Sequence, residues 1–270
     1  MSHRIAVVQM VSSANVEHNL KVAENYIVEA AEKGAKMVAL PENFACMSFH
    51  ERDKLALAET GGDGPIQQWL SYTAKENHIF LLGGTVPIKV PGKDKIYAAS
   101  LLFDDQGEQV ARYDKIHLFD VTVKDGESYQ ESAAIEPGSN IVAVDTPVGR
   151  VGLTVCYDLR FAEIFRQLII KEVDLFFVPS AFTETTGSAH WEVLLRARAI
   201  ENLAYVAAPN QGGKHENGRM TYGHSMIIDP WGKVLVNANR QSGPIYADID
   251  LEDVKRLRAQ FPCNQHHVLK

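Results

Sequence analysis

Three residue types that together could break an amide stand at three separate places in this chain: Glu42 after Leu40-Pro41, Lys115 after Tyr113-Asp114, and Cys156 after Thr154-Val155. Each follows an apparent strand, at a point where a core residue would be expected. Cys156 is the most informative of the three. Val151, Leu153 and Val155 form an apolar run of strand type, and Glu163 to Ile170 then takes up helical spacing, so the thiol sits on a strand-to-helix turn. Such a turn holds a nucleophile at the lip of a sheet with backbone N–H groups directed at it, as a developing oxyanion requires. A cysteine beside a lysine ammonium loses its proton more easily. A carboxylate within reach could collect that proton and hand it to a departing amine, while the lysine and the N–H of Tyr157 face the oxygen of a tetrahedral adduct. The chemistry so described is acyl transfer from an amide through a thioester. A structural Lys–Glu ion pair beside an inert thiol also fits any two of these strand ends, and fits all three less well.

These strand ends need elements to carry them. Residues 4–10 read as a buried strand, Asn15 as the N-cap of a helix with the apolar stripe Val16, Leu20, Ala23, Ile27 and Ala30, Gly34 as its stop, and 37–40 as the next strand. A loop with Cys46 and a short helix follow, then a helix opening at Gly64-Pro65 and a strand at 79–82. Residues 96–103 and 109–113 pair as a hairpin around Asp104-Asp105-Gln106-Gly107, and a second hairpin, 141–144 with 151–155, brings in Cys156. Between the hairpins, 117–138 has little periodicity and reads as a functional loop across the surface. Strands at 174–179 and 205–208, a helix at 191–202, further strands at 225–229, 234–236 and 245–249, and a helix near 251–258 complete the chain. The polar, glycine-rich stretch 211–219 reads as a flexible loop, solvated by default, whose positive charges could also meet a carboxylate on the leaving group of a substrate. Alternating βα segments mixed with hairpins predict an α/β fold: a four-layer αββα sandwich of two mixed sheets with helices outside. A single doubly wound sheet is disfavoured, because no G-x-G-x-x-G loop follows the first strand.

With 270 residues, 46% of them hydrophobic, and no linker-like stretch, the chain reads as one domain, 1–270. The net charge of −7 and scattered basic residues argue against nucleic acid and anionic membranes as partners. Three cysteines, Cys46, Cys156 and Cys263, argue for a reducing compartment. With no signal-peptide core or membrane span, a cytoplasmic location is expected. Cys263, His266 and His267 lack the paired spacing of a metal site. A Cys–His hydrolase using His117, His190 or His224 is conceivable, but none stands in a matching local signature.

Pro41-Glu42-Asn43, Tyr113-Asp114-Lys115-Ile116-His117-Leu118-Phe119-Asp120 and Val155-Cys156-Tyr157-Asp158-Leu159-Arg160-Phe161 resemble the three motifs of the nitrilase superfamily, the carbon–nitrogen hydrolases. The likeness extends through residues 186–192 and 223–232 and so covers nearly the whole chain. It implies Glu42 as general base, Lys115 as stabiliser of the tetrahedral intermediate and Cys156 as nucleophile. It also implies the αββα fold, a homodimer or higher homo-oligomer, and no cofactor or metal. Members of the superfamily use a second glutamate in the long loop after the lysine. Glu127, Glu131 and Glu136 compete here, and Glu131 matches the place, where it would hold Lys115 charged and aimed. Ala162 departs from the proline common in relatives, which would only preset the first helical turn.

Arg160 bears on the substrate. A cation at the opening of a helix faces the positive end of the dipole, so a partner should compensate, either a substrate carboxylate gripped by the guanidinium or a salt bridge to Asp158 or Glu163. In similar amidases the arginine at this place holds a carboxylate, and Phe182 and Thr186 match positions that line the same pocket. The resemblance therefore implies a small-molecule amide substrate carrying a carboxylate. Within the superfamily, residues 190–201 and 219–224 look most similar to the deaminated-glutathione amidases, with ω-amidases of 2-oxoglutaramate next; other small-amide or N-carbamoyl hydrolases are further alternatives.

Overall fold

The apolar segments assemble into two six-stranded sheets in the computed structural model, which describes residues 2–122 and 128–268. The first half of the chain supplies β1 (Ser2–Gln9), α1 (Val16–Glu32), β2 (Met37–Ala39), α2 (Pro65–Asn77), β3 (Phe80–Lys89), β4 (Ile96–Phe103) and β5 (Gln109–Asp114). Two short strands follow, β6 (Asp120–Thr122) and β7 (Ser128–Gln130), then β8 (Ala143–Thr146), β9 (Gly149–Leu153), α3 (Ala162–Ile170), β10 (Leu175–Phe177), α4 (Glu184–Asn202) and β11 (Tyr205–Ala208). The chain ends with β12 (Gly212–Lys214), β13 (Met220–Tyr222), β14 (Met226–Ile228), β15 (Val234–Asn237), β16 (Gly243–Asp250) and α5 (Leu251–Gln260). One sheet has the order β16-β1-β2-β3-β4-β5 and the other β15-β14-β11-β10-β9-β8.

Ile5-Ala6-Val7-Val8 in β1 explain the layering. All four are fully buried, because alternate side chains face opposite ways and both faces are covered. Ile5 and Val7 join a core that includes Leu153, Phe176 and Val206 of the second sheet. Ala6 and Val8 join another with Ala23 and Ile27 of α1 and Leu70 of α2. On the far side, Phe165 of α3 and Trp191 and Leu195 of α4 belong to the second sheet's core. The result is the αββα sandwich that the patterning predicts.

Both sheets share one plan, with parallel strands at the centre and antiparallel strands outside. β2 runs parallel to β1 and β3, and β4 and β5 each reverse direction, so β2 and β5 point the same way. Glu42 and Lys115, which follow those two strands, therefore leave the sheet at the same edge. Cys156 follows β9, which is parallel to β10 in the other sheet. Two glycines let backbone close in on these strand ends. A Cβ at Gly84 would lie 1.9 Å from the Pro41 carbonyl oxygen, and one at Gly138 would lie 2.1 Å from that of Asp114.

Four stretches differ from the sequence reading, the first being β3, which runs on to Lys89 where a strand ending at 82 was expected. Helix α4 starts at Glu184, seven residues before 191, because the Thr183 side chain accepts a hydrogen bond from the Thr186 N–H and caps it. Residues 211–219 supply β12 and the turn of the β12–β13 hairpin, which His215 joins to the N-terminal segment: its Nδ1 lies 2.8 Å from the Ser12 oxygen and its Nε2 2.8 Å from Thr221 Oγ1. Residues 117–138 do not simply cross the surface. β6 and β7 pair there and deliver Glu131 into the interior, drawn in by the ammonium it meets.

Candidate active site

Lys115 lies at the centre of the site, with no exposed surface. Its Nζ donates to Glu42 Oε1 at 2.8 Å and to both oxygens of Glu131 at 2.9 and 2.8 Å. Glu131 Oε2 also accepts from the Phe119 N–H at 2.8 Å. Glu42 is 3% exposed, Glu131 9% and Cys156 8%, so these groups are stripped of most of their water and act on one another at low dielectric. Burial works against the Lys115 ammonium, yet Glu131 and then Glu42 outweigh it and hold its pKa well above the ordinary lysine value. Burial likewise opposes the Glu42 carboxylate, but the charge and hydrogen bond of Lys115, with a further bond from the Cys156 thiol, leave its pKa below the usual range.

The thiol departs from the sequence expectation. Burial raises the Cys156 pKa far above that of a free thiol, and Glu42 adds to the rise; Lys115 and the N–H of Ala181 oppose it without prevailing. The lysine's charge is already shared by two carboxylates, so little of it is left for the sulfur. The raised pKa favours the neutral thiol beside the Glu42 carboxylate, so its proton would have to leave for the sulfur to act as a nucleophile.

Backbone geometry aims the sulfur. Cys156 opens a 3-10 turn, Cys156–Arg160, with φ 49°, a conformation that costs a non-glycine residue about 1–3 kcal/mol and is kept where the surroundings impose it. Its N–H donates to the Pro179 oxygen at 2.9 Å. Tyr157, in the first turn, has no acceptor for its N–H inside the helix, which leaves that donor for a ligand oxygen. Asp158 locks the turn from beneath. Its carboxylate, fully buried, accepts from the Val155 N–H at 2.8 Å, the Tyr113 hydroxyl at 2.7 Å and the His117 N–H at 3.1 Å, and lies 2.7 Å from His117 Nδ1. The Lys115 strand end and the Cys156 turn are thereby tied together. On the third side, Gln211 Nε2 donates to the Glu42 backbone oxygen at 3.1 Å, and the Asn43 N–H to Thr85 Oγ1 at 2.9 Å.

Glu42, Glu131, Cys156, Tyr157, Arg160, Phe182 and Thr186 all line one pocket, and Lys115 lies beneath it. Arg160 pairs with neither Asp158, which is turned inward, nor any other carboxylate among the described residues. Its guanidinium lies 5.7 Å from the centre of the Tyr157 ring and 5.4 Å from that of Phe182, with Nη1 3.2 Å from His190 Nδ1. Of the competing acids, Glu136 is held outside by Lys93 and Lys95, and Glu127 lies outside the described residues. No histidine lines the pocket among the described residues. His117 stacks on Phe161 at 3.7 Å, and His224 stacks on Tyr222 at 4.2 Å.

The family model of carbon–nitrogen hydrolases matches residues 4–259. The chain belongs to that family. It is 43% identical over 266 residues to a deaminated glutathione amidase of Synechocystis sp., covering 97% of each chain, and 38% identical over 265 residues to an omega-amidase of Homo sapiens, covering 97% of this chain and 93% of the relative. Among solved structures, the C. elegans NitFhit protein superposes with a TM-score of 0.92 at 39% identity, over 98% of this chain and 65% of that one. No helix among the described residues is long and apolar enough to cross a membrane.

The sequence reading passed over several residues of this family site. Phe119, Ala181 and Thr183 line the pocket, and so does Arg219, of the loop whose positive charges the sequence offers to a leaving-group carboxylate without singling out this residue. Asp158 carried one signal, a carboxylate two residues after Cys156. Gln211 carried none that local spacing could reveal, since its partner is 169 residues away.

Proposed function

We propose that this protein hydrolyses the amide of deaminated glutathione, N-(4-oxoglutaramoyl)-cysteinylglycine, giving 2-oxoglutarate and cysteinylglycine through a thioester on Cys156. The observation that carries the reading is the buried contact set of Glu42, Lys115, Glu131 and the Cys156 thiol, beneath a pocket whose Arg160 has no carboxylate partner among the described residues. The 43% identity to the Synechocystis deaminated glutathione amidase supports the choice of substrate.

Arg160 takes the substrate carboxylate, with Phe182 and Thr186 beside it. Sulfur attacks the amide carbon while Glu42 takes the thiol proton, and the carbonyl electron pair moves to oxygen. Lys115 and the Tyr157 N–H stabilise that oxyanion. On collapse the C–N bond breaks and Glu42 passes its proton to the departing nitrogen. Water then enters; Glu42 takes one of its protons, the oxygen bonds to the thioester carbon, the C–S bond breaks, and the sulfur regains a proton. Glu131 holds Lys115 ionised throughout. The step needs no ionised thiol at rest, which agrees with the raised Cys156 pKa.

Hydrolysis of free 2-oxoglutaramate with release of ammonia is the second reading, supported by the 38% identity to a human omega-amidase. Turnover of deaminated glutathione, 2-oxoglutaramate, simple nitriles and N-carbamoyl amino acids, measured side by side, tests both. The first reading stands if deaminated glutathione has the highest kcat/KM and falls if another substrate exceeds it. A cytoplasmic protein that forms homodimers or higher homo-oligomers belongs to the same proposal, supported by three unbridged cysteines and by the exposed Ile170, Val193 and Ile200 on α3 and α4. Light scattering in solution reads the oligomer directly.

A further inference from the structure

Arg219 is shared by two cavities. It lines the reaction pocket and also a more open groove beside it, formed by the segment 47–54, β7 and the turn of the β12–β13 hairpin. The reaction pocket is the tighter of the two. An acyl group that fills it leaves the other half of a larger amide to emerge past Arg219 into the groove.

The groove's charges are arranged for an anion. Glu51 is paired with Lys54, Nζ to Oε2 at 2.7 Å, and the Arg219 charge helps to hold it ionised, so two cations face this one carboxylate. Arg219 donates from Nη2 to the Ala181 oxygen at 2.7 Å and lies 5.0 Å from the centre of the Tyr129 ring. Its Nε is buried with no hydrogen-bond partner, and no carboxylate pairs with the guanidinium, among the described residues. It is a cation with donors to spare. It is also held in place: the His215 N–H donates to the Arg219 oxygen at 2.9 Å, and Asn217 Nδ2, two residues before it, to the Ser48 oxygen at 2.7 Å. A fixed fork lacking an anion is preorganised for a carboxylate. Arg160 has the same unmet need but does not line the groove, so the two arginines divide a substrate with a carboxylate at each end.

Resting on the reaction proposed above, we infer that Arg219 and this groove bind the C-terminal carboxylate of the amine leaving group. The enzyme thereby selects amides of amino acids or short peptides over primary amides.

The test compares three substrates with one acyl group: deaminated glutathione, its C-terminal glycinamide, and 2-oxoglutaramate. In the wild type, kcat/KM for the acid exceeds that for the glycinamide by about 10–100-fold, as loss of a charge-assisted contact implies. In Arg219→Gln the ratio collapses to within about threefold, and Arg219→Lys, which keeps charge without the fork, lies between. Equal hydrolysis of acid and glycinamide by the wild type overturns the subsite while leaving the reaction standing, and so does a ratio that survives in a folded Arg219→Gln. The wild-type comparison decides even if the variants do not fold. Failure to turn over all three substrates overturns the reaction and the subsite together.

Discussion

Glu42 and Asp158 are both buried carboxylates at the Cys156 turn, and their partners differ in kind. Asp158 is surrounded by the Tyr113 hydroxyl, two backbone N–H groups and the His117 ring. Burial and the Asp158 charge hold Tyr113 well above its ordinary pKa, so it remains a neutral donor. Glu42 instead meets a lysine shared with Glu131 and the Cys156 thiol, whose proton it takes in the proposed mechanism. A saturated carboxylate builds a scaffold, whereas one beside a movable proton can do chemistry. A buried carboxylate serves either end, according to its neighbours.

Substitutions can break this contrast, beginning on the reactive side. Cys156→Ala should abolish turnover, a loss of roughly 10⁴-fold or more, while the circular dichroism spectrum and melting behaviour stay native. Turnover near the wild-type rate would overturn the nucleophile. Glu42→Gln keeps the shape but not the base, and kcat should fall by about 10²–10⁴-fold. Arg160→Lys should raise KM by about tenfold or more, since the planar fork is lost while the charge remains. An unchanged KM would assign Arg160 to the fold. On the scaffold side, Asp158→Asn should lower unfolding stability by about 1–3 kcal/mol in a denaturant titration, because it sets an amide N–H₂ among groups that donate. If that variant lost activity without losing stability, the distinction between the two carboxylates would fail.

The smallest expected effect is a pH dependence that does not appear. The folded pKa of Glu42 is depressed, so its ionised form and the stability it contributes are fully present above about 4.3, the unfolded value, and are lost as pH falls through the lower folded value. That of Lys115 is raised, so its contribution is fully present below about 10.4 and is lost as pH rises through the higher folded value. Neither group should impose a limb on kcat/KM between those limits. Glu42→Gln should therefore change the rate without shifting the profile there, and a wild-type limb in that window that vanishes in the variant would contradict the assignment.

Much of this molecule is legible from local chemistry. Asn15 accepts from the His18 N–H and caps α1, Gly64-Pro65 opens α2, and the apolar runs before Glu42, Lys115 and Cys156 end where those residues stand. Periodicity and turn chemistry act over a few residues, so a reader of the chain can find them. The hairpin at 212–222 was hidden because its order comes from contacts such as His215 with Ser12, 203 residues away, and not from its own polar, glycine-rich composition.

Sequence by itself determined the αββα layering, the three reactive strand ends and the family, because alternation of apolar residues and a few fixed motifs are written along the chain. Tertiary structure alone decided that Asp158 locks the turn, that burial raises the Cys156 pKa where a lowered one was expected, and that Arg219 stands between two cavities, and it shows Glu131, the residue the resemblance selects, in contact with Lys115. Desolvation and Coulomb interaction depend on distance through space, and Lys115 reaches Glu42 across 73 positions of sequence, a separation over which no local pattern carries information.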